Sequence, residues 1–332
     1  MDVFYFIGVD VSKKKLDLCV MFQGKVIRED VVGNQSTAIS KWIKRLKKDF
    51  NIESDDFLVC AEHTGQYSYP LVCACKTLEC KLWLENPAQI KYCSGMQRGK
   101  NDKVDARRIA VYASRFNDKA KYYNQPIETI QCLSQLESER SLYTIDISKY
   151  KAQLSDQKDY MSKDIYDKKA KRLRKLINEL QAAVEIIQKE MEYLISGSEC
   201  LSRQMELLTS VDGVGKVVAL NMIIATEAFT RFDNPRKFCC HAGVAPFAYT
   251  SGSSQHSKNA VSNRANKDLK RLLHLAAVAI VHKKDCELKT YYERKVAEGK
   301  NKMLVINALR AKIVSRMFAV IKRDELYTPI YS

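Results

Sequence analysis

The sequence VFYFIGVDVSKKKLDLCVMFQGKVIREDVV, residues 3–32, decides the fold of the N-terminal part of the chain. It contains three runs of β-branched and aromatic residues, and a glutamine-glycine pair separates the last two runs. Such runs, divided by short turns, are typical of antiparallel strands that follow one another along the chain. We therefore predict strands over residues 3–9, 16–22 and 26–32.

Helical and extended patterns alternate beyond this meander. The periodicity predicts helices over residues 36–48 and 69–77, and buried strands over residues 57–61 and 80–84. A meander followed by alternating helices and strands forms an α/β layer with a mixed sheet. This arrangement resembles that of ribonuclease-H-like nucleases.

Composition limits the kind of partner. The chain has 332 residues, enough for two domains, and its 55 Lys and Arg against 39 Asp and Glu give a formal net charge of +16. The natural partner is a polyanion, most commonly nucleic acid. No apolar run is long enough to span a bilayer and no leader peptide is recognisable, so we expect a soluble cytoplasmic protein without a membrane partner. The eleven cysteines form no CxxC pair, so we expect reduced and mostly buried thiols.

Four carboxylates indicate a possible metal site. Asp10 and Glu62 end the first and fourth predicted strands, and Asp102 and Asp105 share one face at the start of a predicted helix. Taken singly, each could instead be a strand-end turn residue, a helix cap or a solvated first-turn residue. Together they predict a four-carboxylate cluster whose mutual repulsion Mg²⁺ or Mn²⁺ would offset. Two such ions about 4 Å apart would clamp a phosphodiester for displacement at phosphorus.

A heptad pattern begins after Pro126. Apolar residues recur every three or four positions, which predicts a two-helix coiled coil over residues 126–200, broken somewhere between residues 155 and 168. It could serve as an oligomerisation arm or a spacer between domains. The alternative is an ordinary helical hairpin packed on one domain.

The pattern over residues 201–332 predicts a mainly helical domain with a glycine-rich turn near its start. Gly213, Gly215 and Lys216 precede an apolar helix over residues 217–226, in a pattern typical of a helix-hairpin-helix turn that holds a phosphate backbone. A plain tight turn is the competing interpretation. Further helices are predicted over residues 238–242, 272–281 and 303–321.

A polar loop is predicted over residues 247–257. It contains Ser251 beside Gly252, which could be part of a simple connector or an exposed nucleophile. The basic residues that follow are candidate phosphate contacts, although some must be ordinary surface charge: Lys258, Arg264, Lys267, Lys270 and Arg271.

These motifs together resemble a known family over nearly the whole chain. The N-terminal set resembles the RuvC-like signature of DEDD-type insertion-sequence transposases, also called bridge-RNA-guided recombinases, and of the related Piv-type DNA invertases. That set comprises residues 8–13, 62–67, 85–87 and 100–106. The C-terminal set resembles their transposase domain and comprises residues 213–215, 243–246, 251–252 and 291–294.

The resemblance implies roles for particular residues. Asp10, Glu62, Asp102 and Asp105 would bind the metal ions, and Ser251 would be the nucleophile. A noncoding guide RNA would pair with both donor and target DNA, in a dimer or tetramer in which subunits share active sites. The protein would act at the bacterial or archaeal nucleoid. The sequence departs from the family at Asn101, where Thr is usual, at Asp212, where Pro is usual, and over residues 262–266.

We therefore interpret the chain as a DNA recombinase that forms a phosphoserine intermediate. Its predicted domains are a catalytic RuvC-like domain at residues 1–125, the coiled coil at 126–200 and a transposase domain with the serine at 201–332. Two alternatives remain open. One is a hydrolytic junction-resolving nuclease in which Ser251 is structural, and the other is a nonenzymatic nucleic-acid-binding protein on a nuclease fold.

Overall fold

The computed structural model describes residues 4–93, 102–123, 128–251, 255–261, 265–283 and 286–328. The strands between residues 246 and 261 are described by their backbone. The chain divides into two compact units, unit 1 at residues 1–125 and unit 2 at residues 126–332. Each unit has its own hydrophobic core.

Unit 1 is a five-stranded sheet covered by helices. Its elements are β1 (Tyr5–Val11), β2 (Lys15–Phe22), β3 (Lys25–Gly33), α1 (Ser36–Phe50), β4 (Phe57–Glu62), α2 (Tyr69–Thr77), β5 (Lys81–Glu85), α3 (Pro87–Cys93) and α4 (Asp102–Arg115). The strand order is β3-β2-β1-β4-β5, in which β1 to β3 run antiparallel and β4 and β5 run parallel to β1. The predicted mixed sheet is confirmed, and its order is that of the ribonuclease H fold.

Helices cover both faces of this sheet. On one face α1 buries Ile39, Ile43 and Leu46 against the strands, which explains the three- and four-residue spacing of those apolar positions. On the other face α4 buries Ile109 and Ala113. Strands β1, β2 and β4 are therefore mostly buried, whereas the edge strand β3 is largely exposed and carries Arg28, Glu29 and Asp30 in its middle.

A glycine allows α4 to lie unusually close to β1. A Cβ atom added at Gly8 would be 2.2 Å from the carbonyl oxygen of Ala106 and 2.2 Å from the backbone nitrogen of Ala110. Real Cβ atoms do not come so close to backbone atoms, so only glycine fits at this crossing. The crossing places the first turn of α4 beside the end of β1, and it thereby fixes where Asp102 and Asp105 lie relative to Asp10.

Unit 2 is mainly helical. Its elements are α5 (Glu128–Asp156), α6 (Lys163–Ser196), α7 (Glu199–Thr209), α8 (Lys216–Thr226), α9 (Pro235–His241), β6 (Pro246–Ser251), β7 (Gln255–Val261), α10 (Lys267–His282), α11 (Glu287–Ala297) and α12 (Lys302–Arg323). Helices α5 and α6 form the predicted pair, with the break between residues 156 and 163. Leu133 and Ile187, near the base of the pair, belong to the core of unit 2. The pair is thus both a long hairpin and a packed part of its unit.

The prediction of a loop over residues 247–257 is wrong. The structure has a two-stranded antiparallel hairpin there, in which β6 pairs with β7 and Ser251 is opposite Gln255. Aromatic residues at alternate positions in the sequence Phe-Ala-Tyr-Thr favour a strand, and the Ser-Gly-Ser-Ser that follows favours a turn. The many polar residues of this segment favoured the prediction of a loop.

Two further observations concern the cysteines and the length of the helices. All eleven cysteines lie in the described part of the chain and are free thiols, most of them buried or half-buried. Among the described helices, none combines the length and the apolar character needed to cross a bilayer.

Candidate metal centre

Three carboxylates meet where β1 ends and β2 begins. Asp10 and Asp17 are directly opposite each other in the antiparallel β1–β2 pair, so their side chains project from the same face. The first turn of α4 adds Asp102. Carboxylate oxygens of Asp10, Asp17 and Asp102 all lie within 4.8 Å of one another.

The other two predicted acids also act on this cluster. Glu62 ends β4, the parallel neighbour of β1, and Asp105 lies one turn beyond Asp102 on α4. The pKa of Asp10 is raised from 3.8 to about 6, first by burial and then by the negative charges of Asp105, Asp102, Glu62 and Asp17. Of the four predicted carboxylates, Asp10 and Asp102 therefore belong to the group within 4.8 Å, whereas Glu62 and Asp105 act on Asp10 through their charge.

Basic side chains partly balance this negative charge. The ammonium nitrogen of Lys15 is 2.9 Å from Oδ2 of Asp17 and 2.9 Å from Oδ2 of Asp102. These contacts raise the pKa of Lys15, the one with Asp17 most. Arg108 donates to Asp105 at 2.5 Å. The lysine therefore occupies the position of a cation between two of the carboxylates.

The donor set fits a divalent cation. Oδ2 of Asp17 is buried, and although it lies at ion-pair distance from Lys15, no described group donates a hydrogen bond to it with proper geometry. The ammonium of Lys15 is the cation that contacts this oxygen in the structure, and a divalent ion would meet the same group of carboxylate oxygens. Carboxylate oxygens are the hard ligands that Mg²⁺ and Mn²⁺ prefer. Asp10, Asp17 and Asp102 are placed to hold such an ion, with Glu62 and Asp105 nearby.

Asp17 is a member of this cluster that was not predicted from the sequence. The predicted strands stopped at residue 9 and began again at residue 16, so the cross-strand pair of Asp10 with Asp17 was not foreseen. The signal was present, because Asp17 is a charged residue between apolar neighbours, Leu16 and Leu18. It is 3% exposed, which is rare for an aspartate without a function or a partner.

We expect Asp10→Asn to stabilise the metal-free protein. In the folded chain this carboxyl has a pKa of about 6, against 3.8 for the ordinary group. Between these two pH values the folded state therefore binds more protons than the unfolded state does. Ionisation of this carboxyl therefore lowers the free energy of unfolding as the pH rises from about 4 to 6. With allowance for solvent screening, the asparagine should raise that free energy by about 1–2 kcal/mol at pH 7.5, and by about half as much at pH 5.

The measurement is urea unfolding in the presence of a chelator, followed by tryptophan fluorescence. Both tryptophans of the chain, Trp42 and Trp83, are buried in unit 1, so the signal reports this unit alone. The exposed Asp118→Asn in the same unit is the control, with no expected change. A variant Asp10→Asn that is less stable than the wild type at pH 7.5 would contradict the electrostatic strain inferred at this site.

The predicted nucleophile belongs to unit 2. Ser251 is the last residue of β6, and its backbone pairs with Gln255 across the hairpin. Gly252 and Arg264 lie outside the described residues, and Lys258 lies on β7. Whether Ser251 acts as a nucleophile therefore remains a prediction.

The glycine-rich turn connects α7 and α8 as predicted. Gly213 has φ of +78°, and a Cβ atom there would be 2.7 Å from Ile280 Cγ1, so the turn packs tightly on α10. Gly215 caps α8, and Lys216 is exposed and 3.0 Å from Glu192. Asp212 forms an ion pair with Lys283. The turn is thus held by packing and an ion pair, and its helix N-terminus is open to a ligand.

Two transposase family models match the chain. A model described as the Transposase IS116/IS110/IS902 family matches residues 205–293. A DEDD transposase model of the IS110 type matches residues 7–162. The first of these covers the turn and the hairpin of unit 2, and the second covers the carboxylate cluster.

Individual proteins also resemble this chain. The pilin gene-inverting protein of Moraxella bovis is 22% identical over 326 residues, which are 96% of each chain. An insertion element IS110 protein of Streptomyces coelicolor is 31% identical over 121 residues, 36% of this chain and 29% of that protein. Among solved structures, RuvC of Thermus thermophilus is 14% identical with a TM-score of 0.28, over 36% of this chain and all of RuvC.

Proposed function

Because the chain belongs to the IS110-type family of DEDD transposases, we propose that it cuts and rejoins DNA through a covalent serine intermediate with the help of divalent metal. The observation that carries the proposal is the cluster of Asp10, Asp17 and Asp102, whose carboxylate oxygens lie within 4.8 Å of one another. A family transposase that had lost catalysis would have no need to keep such mutually repelling groups together.

The chemistry divides between the two units of the chain. The carboxylates of unit 1 would hold Mg²⁺ or Mn²⁺, which would stabilise the negative charge on a phosphodiester during displacement. Ser251 of unit 2 would form a new phosphorus–oxygen bond while a deoxyribose oxygen leaves. The phosphoserine conserves the energy of the original ester bond, so a second deoxyribose hydroxyl can reverse the step without ATP. A mechanism with a covalent phosphoserine therefore suits recombination better than a hydrolytic mechanism does.

Basic residues of unit 2 would bind the nucleic acid. The turn at Gly213 and Gly215, with Lys216, would hold the backbone through amides at the start of α8. Lys258, Arg264, Lys267 and Arg271 would contact phosphates of donor or target DNA, and the net charge of +16 favours these contacts. We also propose that a noncoding guide RNA selects the DNA sites by base pairing, and that the protein acts as a dimer or tetramer.

The test is an excision assay with a plasmid that carries the gene and its native flanking DNA. Wild-type protein should give rejoined junctions, detected by amplification across the expected joint. Ser251→Ala should give none, with a loss of at least about 100-fold, because the nucleophile is removed. Thr250→Ala, one position away on β6, is the matched control and should retain activity.

The same assay separates the rival functions. If Ser251→Ala still rejoins DNA, the serine mechanism is wrong, and cutting without rejoining by the wild type would favour a hydrolytic nuclease. If neither the wild type nor Ser251→Ala alters DNA, the result favours the nonenzymatic alternative. Deleting the flanking noncoding DNA while supplying the protein from elsewhere tests the guide RNA, because an RNA-guided enzyme should then form no junctions.

A further inference from the structure

A buried arginine without an acidic partner lies in unit 2. Arg310 on α12 is 6% exposed, and within the described part of the chain no carboxylate forms an ion pair with it. Burial lowers the pKa of Arg310, and no neighbouring charge opposes this effect. A buried charge without compensation is destabilising, so such a residue calls for a ligand or another explanation.

The hydrogen bonds of Arg310 leave much of its guanidinium unused. Nη2 is 2.5 Å from Nδ1 of His274, and Nη1 is 3.4 Å from Oδ1 of Asn307. Nε is buried and, among the described residues, has no hydrogen-bond partner. A guanidinium carries five N–H groups, and these contacts use only some of them.

His274 adds a second donor to the site. A guanidinium only donates, so Nδ1 of His274 must accept and the ring proton is on Nε2. Burial, followed by the charge of Arg310, lowers the pKa of His274, which keeps the ring neutral in this form. The two side chains therefore present N–H groups and no free acceptor, and such a set of donors complements an anion.

A basic face of α10 leads to this pair. Lys267, Arg271 and His274 are four and three positions apart, so they share one face of the helix. Lys267 and Arg271 are exposed, and His274 is half-buried beside Arg310. The face thus carries two exposed cations, Lys267 and Arg271, and the neutral ring of His274 links it to the buried guanidinium.

The site is also connected to the strand that carries Ser251. Asn307, one turn before Arg310 on α12, donates to the backbone oxygen of Val244 at 2.9 Å. Val244 comes two residues before Pro246, where β6 begins. Asn307 therefore contacts both Arg310 and the backbone just before the hairpin.

We propose that Arg310 and His274 form an anion site that binds a phosphate group of a nucleic acid backbone. The planar guanidinium can donate two parallel hydrogen bonds to one phosphate, and burial strengthens them. The identity of the anion as nucleic acid rests on the proposed function. The basic face of α10 places Lys267 and Arg271 along the path of the same backbone.

A structural arginine in the same unit provides the contrast. Arg140 on α5 is also largely buried, and it donates to both oxygens of Glu137 at 2.6 and 2.7 Å. Removing Arg140 would leave the carboxylate of Glu137 buried without its cation, which is destabilising. Removing Arg310 leaves no such charge, so the two substitutions should have opposite effects on stability.

The first measurement is thermal unfolding of the full-length protein, followed by the helical circular dichroism signal. In chloride buffer, Arg310→Met should be at least as stable as the wild type, and Arg140→Met should be less stable. Inorganic phosphate at the same ionic strength should raise the melting temperature of the wild type but not of Arg310→Met. Arg310→Lys keeps the charge and should keep part of the phosphate effect.

The second measurement is binding of a short DNA duplex as a function of salt. Losing one phosphate contact should lower the slope of log K against log salt by about one. Arg323→Met, which removes an exposed charge from the same helix, is the control and should leave the slope unchanged. Excision should still depend on Ser251 in the Arg310→Lys background, which tests the proposed function separately.

Three results together would overturn the anion site. Arg310→Met would be destabilised as much as Arg140→Met, would show the wild-type slope of log K against log salt, and would respond to phosphate as the wild type does. If that happens while wild-type excision still requires Ser251, the proposed function stands without the site. If phosphate stabilises the wild type through Arg310 but no DNA rearrangement occurs, the anion site stands and the proposed function fails.

Discussion

Asp102→Asn should abolish DNA excision by the full-length protein, with a loss of at least about 100-fold. The asparagine keeps the shape of the side chain but removes the charge that lies among Asp10, Asp17 and Lys15. A divalent ion would then lose one of its closest ligands. Binding of Mn²⁺, measured by electron paramagnetic resonance, should weaken by a similar factor.

The structure supplies a matched control for this substitution. Asp118→Asn removes the same charge from an exposed position of unit 1, so it should change neither Mn²⁺ binding nor excision. The fold should be intact in both variants, as judged by the fluorescence of Trp42 and Trp83. Normal Mn²⁺ binding by Asp102→Asn would show that the metal is held elsewhere.

Gly8→Ala should have a comparably large effect without changing any charged residue. The added methyl group would be 2.2 Å from backbone atoms of Ala106 and Ala110, so no side chain can move away to make room for it. Helix α4 must shift outward by about 1 Å, at a cost of roughly 1–3 kcal/mol. A shift of that size at a catalytic group costs on the order of 100-fold in rate.

Gly33→Ala provides the comparison. Gly33 ends β3 in the same sheet, and a Cβ atom there meets nothing within 4 Å. This variant should fold and excise DNA as the wild type does. If Gly8→Ala retains full Mn²⁺ binding and excision, the close contact of α4 with β1 does not position the metal site.

Much of unit 1 can be predicted from its sequence. Strand residues alternate or form apolar runs, so each strand of the sheet was foreseen with ends shifted by no more than two residues. The metal centre was less predictable, because it depends on register. Asp17 joins it only because Asp10 is opposite Asp17 in the hairpin, and one step of register would point its side chain to the other face.

The structure of unit 2 was harder to predict from the sequence, for different reasons. The hairpin at Ser251 has a polar composition, and composition alone favours a loop even though aromatic residues stand at alternate positions of β6. Arg310 lies within an apolar helical pattern that predicts α12 correctly but says nothing about a partner. Whether a buried charge is paired depends on residues distant in sequence, here those near His274 on α10.

The serine mechanism is tested most directly by a search for the covalent intermediate. Full-length protein, its native flanking DNA and its RNA transcript are incubated with Mg²⁺ and stopped with denaturant, and labelled DNA that migrates with protein is digested for mass spectrometry. We expect a nucleotide linked to the peptide that contains Ser251, and no such adduct with Ser251→Ala or Asp102→Asn. Rejoined DNA without any adduct at Ser251 would contradict the serine mechanism.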